Sequence, residues 1–144
     1  MYTVGDFMTR KLVTLNEDDD LALADAMLEL GEIHHLPVVR GQKLVGIVSQ
    51  RDVLRACGGR TLAQARGVLA REVMTREIVT LRPSSPLRRA AILMRKRRIG
   101  CVPIVEEDGT LRGIVTGSDL VQFAAEVLTN LQELELAGAR RMTH

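Results

Sequence analysis

The sequence predicts an α+β fold built from two copies of one β-α-β-β-α unit, packed about a pseudo-twofold axis. An internal repeat is the clearest sign, because residues 111–119 (Leu-Arg-Gly-Ile-Val-Thr-Gly-Ser-Asp) match residues 44–52 (Leu-Val-Gly-Ile-Val-Ser-Gln-Arg-Asp). Earlier matches, such as Met8-Thr9-Arg10 with Met74-Thr75-Arg76, recur 66 residues apart. A unit of about 60 residues is marginal alone, so the two copies are expected to complete each other.

Each copy begins with a short helical segment, at residues 4–8 and 69–74, which we call the lead-in. A brief strand follows at residues 13–15 and 79–81. Valine and threonine favour extended backbone, which is why these short segments are predicted as strands.

An amphipathic helix follows the first strand in both copies. Ser85 as N-cap and Pro86 at the first helical position mark its start in the second copy, and Asp19 and Asp20 favour its positive end in the first. One face of each helix is apolar and is predicted to be core. The apolar residues at helical spacing are Leu21, Ala24, Met27, Leu28, Leu87, Ala90, Ala91 and Met94.

A β-hairpin comes next in each copy, with a proline near the start of its first strand. The turns contain glycine, and the Asp-Gly pair of the second copy is the stronger turn signal. A second helix begins where the hairpin ends. The predicted segments are the strands 36–39 and 102–105, the turns 40–43 and 106–110, the strands 44–48 and 111–115, and the helices 52–57 and 118–136.

These elements divide the chain into four parts. Gly58-Gly59 ends the second helix of the first copy, and residues 61–70 are expected to form a linker helix. The predicted parts are the first repeat at 1–57, a linker at 58–70, the second repeat at 71–137 and a flexible tail at 138–144.

Composition argues against several classes of function. Aromatic residues make up 2% of the chain, so stacking platforms for nucleic-acid bases are not expected, and a net charge of +2 gives no global attraction to DNA or membrane. No apolar run is long enough to span a membrane, and the start lacks the pattern of a secretory signal. Cys57 and Cys101 form no metal-ligand or disulfide pattern, which fits the reducing cytoplasm.

A hydroxyl residue and an aspartate three positions later follow the last strand of each copy. The pairs are Ser49 with Asp52 and Thr116 with Asp119. At a strand-to-helix turn both side chains can face a ligand, and the helix N-terminus offers unpaired N–H donors to an anion. The alternative role is local, because an aspartate can cap the helix, with a stabilisation of about 1 kcal/mol, and a hydroxyl can satisfy nearby backbone.

The order and spacing of these motifs resemble the CBS domain, and residues from about 4 to 136 resemble one CBS pair, also called a Bateman module. The motifs that occur twice are Phe-Met-Thr or Val-Met-Thr, Val-Thr-Leu, the helix, Leu-Pro-Val-Val or Val-Pro-Ile-Val, Gly-Ile-Val and Ser/Thr-x-x-Asp. The resemblance implies a regulatory sensor of AMP, ADP or ATP, with S-adenosylmethionine or a cyclic dinucleotide as the ligand of some members. It also implies a homodimer shaped as a flat disc, with the helices at 21–30, 87–98 and 119–136 as candidate interfaces.

Members of this family bind ligands in two clefts where one repeat meets the other. The turn aspartate takes the ribose hydroxyls, and the hydroxyl residue lies beside the ribose and phosphate. The resemblance implies that site A consists of Thr9, Val13, Ile33, His34, Ile114, Thr116, Ser118 and Asp119. It implies that site B consists of Thr75, Val79, Ile99, Gly100, Ile47, Ser49, Arg51 and Asp52.

The two implied sites are not equivalent. Some nucleotide-binding relatives carry a His-Arg pair that meets the phosphates; His34 matches its histidine, whereas His35 replaces its arginine. Site B has Gly100 and Cys101 at the corresponding positions, and Arg51 is the cation that could compensate there. We therefore expect site A to be the better defined nucleotide site.

No other motif points to chemistry. The sequence has no nucleophile elbow, Walker loop or dinucleotide-binding glycine motif, so no enzyme activity is expected. His34 and His35 are neighbours on a strand and would point to opposite faces, which argues against a metal site. A basic cluster, predicted to face solvent, consists of Arg88, Arg89, Arg95, Lys96, Arg97 and Arg98.

We therefore expect a stand-alone regulatory module that binds an adenine nucleotide and signals, through altered packing, to an unidentified protein partner. No resident cofactor is expected. Two other functions stay open: an interaction module with degenerate ligand sites, and a nucleic-acid-associated protein that uses the basic helix at 88–98. Phosphate contact from Arg97 or Arg98 is a further functional interpretation of that helix.

Overall fold

The computed structural model describes residues 2–31, 33–59, 61, 63–64 and 66–142. Helices and strands follow the predicted order, which confirms the α+β class with two related repeats. The elements of the first half are α1 (Val4–Phe7), β1 (Leu15–Asn16), α2 (Leu21–Gly31), β2 (His35–Arg40), β3 (Lys43–Ser49) and α3 (Gln50–Cys57). Those of the second half are α4 (Ala70–Val73), α5 (Leu87–Arg97), β4 (Cys101–Val105), β5 (Leu111–Thr116) and α6 (Gly117–Met142).

The two repeats share a sheet topology, although the first strand of the second repeat is reduced to a bridge. β1 is parallel to β2, which is antiparallel to β3. In the second repeat β4 is antiparallel to β5, and Leu81 makes an isolated parallel bridge to Ile104 where a strand was predicted. Both hairpins turn at a glycine with positive φ, Gly41 at 63° and Gly109 at 90°, which glycine adopts without steric cost.

Each lead-in packs on the repeat to which it does not belong in sequence. Val4 and Met8, at the start of the chain, are buried in the core of the second repeat. Ala70 and Met74, which precede the second repeat, are buried in the core of the first. The two halves therefore exchange their first segments, and neither core is complete without the other half of the chain.

Two backbone pairs join the repeats next to the exchanged lead-ins. Thr9 and Ile114 exchange hydrogen bonds of 2.8 and 3.0 Å, and Ile47 and Thr75 exchange bonds of 3.0 and 2.8 Å. The two pairs occupy matching positions in the repeats, as a pseudo-twofold relation requires. Ile47 and Ile114 also share a small buried cluster with Cys101.

The start of α5 differs from the prediction. α5 begins at Leu87 with Pro86 as its N-cap, so Pro86 is not the first helical residue and Ser85 is not the cap. Ser85 Oγ instead accepts a hydrogen bond from Arg82 N at 3.0 Å. The hydroxyl satisfies the turn that leads into the helix rather than the helix itself, because such short side chains bond the nearest free backbone donor.

Asp20, one of the two acidic residues predicted at the start of α2, caps this helix. Its carboxylate accepts hydrogen bonds from Gly67 N and Ala22 N, both at 2.7 Å, and these bonds lower the pKa of Asp20. Asp19 does not cap α2, since its carboxylate accepts from Asn16 N at 2.7 Å and closes the preceding turn. The two acidic residues correctly predicted the start of α2, but only Asp20 caps the helix.

The linker and the tail also differ from the prediction. α3 ends at Cys57 with Gly58 as its left-handed C-cap, where the Gly58-Gly59 pair predicted a helix end, but the described residues at 61–69 form turns and one bridge rather than a helix. Arg60, Leu62 and Ala65 of this linker lie outside the described residues. α6 continues to Met142, beyond the predicted tail boundary at 138, because residues 131–137 are mostly strong helix formers. Thr143 and His144 lie outside the described residues.

Candidate functional site

A reciprocal pair of hydrogen bonds begins the second helix of the first repeat. Ser49 is the N-cap of α3, and its Oγ accepts from Asp52 N at 3.1 Å, while Asp52 Oδ2 accepts from Ser49 N at 2.8 Å. Each side chain satisfies a backbone donor that the helix would otherwise leave unpaired. The local role considered for this aspartate is therefore present, with α3 beginning at Gln50.

The second repeat has the same arrangement and adds a contact from the start of the chain. Asp119 Oδ2 accepts from Thr116 N at 2.9 Å, and Thr116 Oγ1 accepts from Asp119 N at 3.3 Å. Thr9 Oγ1 donates to Asp119 Oδ1 at 3.0 Å. Both carboxylate oxygens of Asp119 therefore have donors from within the chain.

Asp52 differs from Asp119 in the acceptor capacity that it retains. Thr75 is the counterpart of Thr9, yet within the described ranges no hydrogen bond joins Thr75 to Asp52, and Asp52 Oδ1 has no donor. An ionised carboxylate has about four lone-pair sites. Asp52 can therefore accept hydrogen bonds from the hydroxyls of a ligand, whereas Thr9 already occupies the corresponding oxygen of Asp119.

A cavity of about 880 Å³ lies at the Asp52 turn, between the two repeats. Its volume is within the range of about 300–1,000 Å³ that small-molecule sites usually have. The cavity is lined by all eight residues predicted for site B, which are Ile47, Ser49, Arg51, Asp52, Thr75, Val79, Ile99 and Gly100. The fold thus brings together the complete residue set that the sequence assigned to this site.

The residues predicted for site A fall into two groups. Described hydrogen bonds join four of its predicted residues, which are Thr9, Ile114, Thr116 and Asp119. Val13 is 45% exposed, Ser118 is also exposed, and Ile33 packs against the core of the first repeat. These three side chains take no part in the hydrogen-bonded group around Asp119.

His34 belongs to a different site from the one predicted. It lines the site B cavity, because its carbonyl accepts a hydrogen bond from Gln50 N at 3.1 Å and so holds it at the start of α3. The expectation that site A is the better defined nucleotide site depended on His34. The cavity and the open Asp52 carboxylate instead favour site B.

Several lining residues were not in the predicted set. They are His35, Gln50, Leu54, Arg55, Glu77, Ile78, Arg97, Arg98 and Cys101. Helical spacing could have identified Arg55, because it lies one turn after the predicted Arg51 and so shares the same face of α3. Glu77, Ile78, Arg97 and Arg98 lie next in sequence to the predicted residues Val79 and Ile99, and phosphate contact from Arg97 or Arg98 was one interpretation of the sequence.

The imidazole of His35 packs against the second repeat. A Cβ atom at Gly100 would lie 2.9 Å from His35 Cε1, so the ring lies directly on the Gly100 backbone. Burial lowers the pKa of His35 below its ordinary value of 6.5; the neighbouring His34 lowers it further, and Asp52 opposes both. The ring is therefore neutral at pH 7, and it contributes a dipole rather than a full charge to the cavity.

Cys101 lines the cavity as a thiol. It is 5% exposed, and burial raises its pKa to about 11. A thiol with so high a pKa is a poor nucleophile at neutral pH. Its buried place at the start of β4 gives it a packing role, as is common for a free cysteine.

Across the part of the chain that the structure describes, no three His, Cys, Asp or Glu side chains are grouped so that they could bind a metal ion. None of the described helices combines the length and the apolar content that crossing a membrane requires.

The family model described as "CBS domain" matches the chain twice, at residues 4–59 and 70–126. The chain spans only 22–23% of the length of several curated enzymes that it matches, so those likenesses concern a part of each enzyme.

Solved structures resemble the chain over nearly its whole length. AcuB of Vibrio cholerae is 38% identical, with a TM-score of 0.82 over 92% of this chain and 97% of that one. CBSX2 of Arabidopsis thaliana in complex with AMP is 30% identical, with a TM-score of 0.79 over 88% and 98%. The CBS domain pair of MJ0100, in complex with 5′-methylthioadenosine and S-adenosylmethionine, is 28% identical, with a TM-score of 0.76 over 88% and 98%. Matched by the family model in both halves, the chain belongs to the CBS domain family and forms one tandem CBS pair.

Proposed function

We propose that this chain is a regulatory module, without enzyme activity of its own, that binds an adenine nucleotide or a related adenosyl ligand in the site B cavity. The observation that carries the proposal is the cavity of about 880 Å³ in which Asp52 retains an open carboxylate oxygen. Two similar structures hold adenosyl ligands, AMP in CBSX2 and 5′-methylthioadenosine with S-adenosylmethionine in MJ0100, which supports this ligand class.

The lining of the cavity suits the parts of an adenosine. Asp52 accepts the two ribose hydroxyls, because an ionised carboxylate is an acceptor with no proton to donate. The hydroxyls of Ser49 and Thr75 lie on the same lining and are available to the ribose and phosphate. Val79 and Ile99 supply apolar surface for the flat adenine ring, in the mixture of apolar walls and few polar groups typical of small-molecule sites.

Signalling follows from where the ligand binds. Residues of both repeats line the cavity, so a bound nucleotide contacts both halves of the pseudo-twofold. It shifts the packing of the repeats to the extent that it binds one arrangement more tightly than another. We propose that the module passes this change to a protein partner in the cytoplasm, and that it does so as a homodimer.

Exposed apolar residues offer candidate contact surfaces for the dimer and the partner. Leu30 at the end of α2 is 86% exposed, and Val121 on α6 is 70% exposed. α6 carries further exposed leucines, at Leu128, Leu131, Leu134 and Leu136. Apolar side chains grouped on one exposed helix are typical of interaction surfaces.

Calorimetric titration and thermal unfolding with adenosine, AMP, ADP, ATP, S-adenosylmethionine and cyclic di-AMP test the ligand proposal. We expect at least one of them to bind and to raise the unfolding midpoint by mass action. Asp52→Ala should abolish the binding, whereas the matched variant Asp119→Ala should retain it. Failure of every ligand to bind would contradict the proposal and favour an interaction module with degenerate sites.

A further inference from the structure

Four arginines from the two repeats line the site B cavity. Arg51 and Arg55 lie on α3, and Arg97 and Arg98 lie at the end of α5. Residues four apart on a helix share one face, so Arg51 and Arg55 approach the cavity together. Arginine residues thus line the cavity on the first-repeat wall and on the second-repeat wall.

Arg98 has a backbone conformation that its side chain disfavours. It is the C-cap of α5, with φ 52° and ψ 45°, and it is the one residue other than glycine with positive φ among the residues that the structure describes. Glycine, or sometimes asparagine, is the usual residue at such a left-handed helix end. A long cationic side chain held there, at the wall of a cavity, indicates a functional constraint on this position.

The four guanidinium groups have no carboxylate partner within the described ranges. The ion pairs found there use other cations, namely Arg40, Lys43, Arg71 and Arg112. The carboxylates that line the cavity are Glu77 and Asp52, and Asp52 already accepts from Ser49 N. A cleft with four cations against two carboxylates has a positive potential that concentrates anions.

We propose that site B selects an adenine nucleotide with two or three phosphates over AMP and over S-adenosylmethionine. This inference rests on the proposed function, because the cavity must first accept the adenosine. Arginine binds phosphate through two parallel hydrogen bonds, so four guanidinium groups exceed what one phosphate group can engage. A longer phosphate chain can engage both walls, whereas the positive sulfonium of S-adenosylmethionine is repelled by them.

The first experiment compares ligands on the whole chain. Adenosine, AMP, ADP, ATP and S-adenosylmethionine are titrated by calorimetry, with EDTA present so that magnesium does not neutralise the phosphates, at a physiological salt concentration of about 0.15 M. We expect Kd to fall at least about tenfold from AMP to ATP, as one added charge-assisted contact allows. Equal or tighter binding of AMP or S-adenosylmethionine would overturn the inference and leave the proposed function intact.

The second experiment compares two double variants, each of which removes two positive charges at α5. Arg97→Gln with Arg98→Asn removes the cations of the second-repeat wall, and asparagine tolerates the left-handed backbone at 98. Arg95→Gln with Lys96→Gln is the matched control, because both residues are exposed on α5 and neither lines the cavity.

We call Arg97→Gln with Arg98→Asn the cavity pair and Arg95→Gln with Lys96→Gln the control pair. The cavity pair should weaken ATP binding at least about tenfold and AMP binding less than about threefold. The control pair should change the binding of neither nucleotide by more than about threefold. An equal loss of ATP binding in both pairs would mean that general surface charge attracts the nucleotide, which overturns the inference. Should the cavity pair fail to fold, Arg51→Gln with Arg55→Gln tests the opposite wall by the same criteria. Absence of binding by every ligand, adenosine included, would instead defeat the proposed function.

Discussion

Gly46 of β3 leaves the space that Met74 of the second repeat's lead-in fills. A Cβ atom at Gly46 would lie 2.7 Å from Met74 Cγ, which is closer than real Cβ atoms approach their neighbours. The second repeat has the same relationship, since a Cβ atom at Gly113 would lie 2.6 Å from Met8 Sδ. Each glycine therefore admits the exchanged lead-in of the other repeat through its lack of a side chain rather than through an unusual φ.

Gly46→Ala should destabilise the protein. The added methyl group overlaps Met74, which is 8% exposed and packed in the first core, so the lead-in must shift. Overpacking of this kind costs about 1–3 kcal/mol in the free energy of unfolding. Urea unfolding followed by circular dichroism measures the change.

A control and a cycle make this test specific. Gly138→Ala, on α6 with open space around it, should leave stability unchanged or raise it by up to about 1 kcal/mol. In the double variant Gly46→Ala with Met74→Ala, the two losses should not add, because the alanine at 46 then has no thioether to displace. Additive losses would show that the Gly46 to Met74 contact does not set the packing.

The two turn aspartates should differ in what their loss does to stability. Asp52→Ala removes one helix cap and should lower the free energy of unfolding by about 1 kcal/mol. Asp119→Ala also removes the acceptor of the Thr9 hydroxyl, so it should lower the free energy of unfolding by about 1 kcal/mol more than Asp52→Ala does. Unfolding free energies of the two variants without ligand provide the comparison.

Thr9→Val identifies the source of that difference. It should lower the stability of the wild-type chain but have little effect in the Asp119→Ala background, where the hydrogen bond is already lost. Equal effects of Thr9→Val in both backgrounds would speak against the bond between Thr9 Oγ1 and Asp119 as a stabilising contact.

His35 should make the fold less stable in mild acid. Its pKa in the folded state is lowered by burial and by His34, so below the ordinary value of 6.5 the unfolded chain binds a proton that the folded chain does not. The free energy of unfolding therefore falls as pH decreases through about 6.5, until the folded-state pKa is reached. Urea unfolding between about pH 7.5 and pH 5 should show a smaller decrease for His35→Gln than for the wild type, and the same slope in both would contradict this assignment.

Cys101 should react slowly in the folded protein. A pKa raised from 9.0 to about 11 reduces the thiolate fraction at pH 8 by about a hundredfold, before burial is counted. In a Cys57→Ser variant, where Cys101 is the remaining cysteine, modification by a thiol reagent should be slow in buffer and fast in denaturant. Rapid modification of the folded variant would show that Cys101 is accessible and ionisable.

Local patterns in the sequence were sufficient for the order of the elements and for the hairpins. A few neighbouring residues are enough to predict a strand, a turn or a helix end. This was the case for the apolar strands, the Asp-Gly turn and the Gly58-Gly59 helix end. Helix boundaries were less accurate, as at Ser85 and at the end of α6, because competing local hydrogen bonds and helix propensity shift them by a few residues.

Tertiary structure decided which of the two turn aspartates keeps an open carboxylate oxygen. Both turns have a hydroxyl residue and an aspartate three positions later, but the Thr9 hydroxyl reaches Asp119, whereas no such bond from Thr75 to Asp52 is found among the described residues. Arg97 and Arg98 line the same cleft as Asp52, beside Ile99 and Gly100, which the family resemblance placed in site B.

The sequence by itself determined that this protein has two copies of one α+β unit, each with a hydroxyl-aspartate turn, because repetition and period are local properties of the chain. The tertiary structure alone decided that Met8 and Met74 are buried in the core of the other repeat and that His34 lines the site B cavity. These facts depend on how side chains from separate segments of the chain pack, and Gly46 with Met74 shows that a single missing Cβ can set that packing.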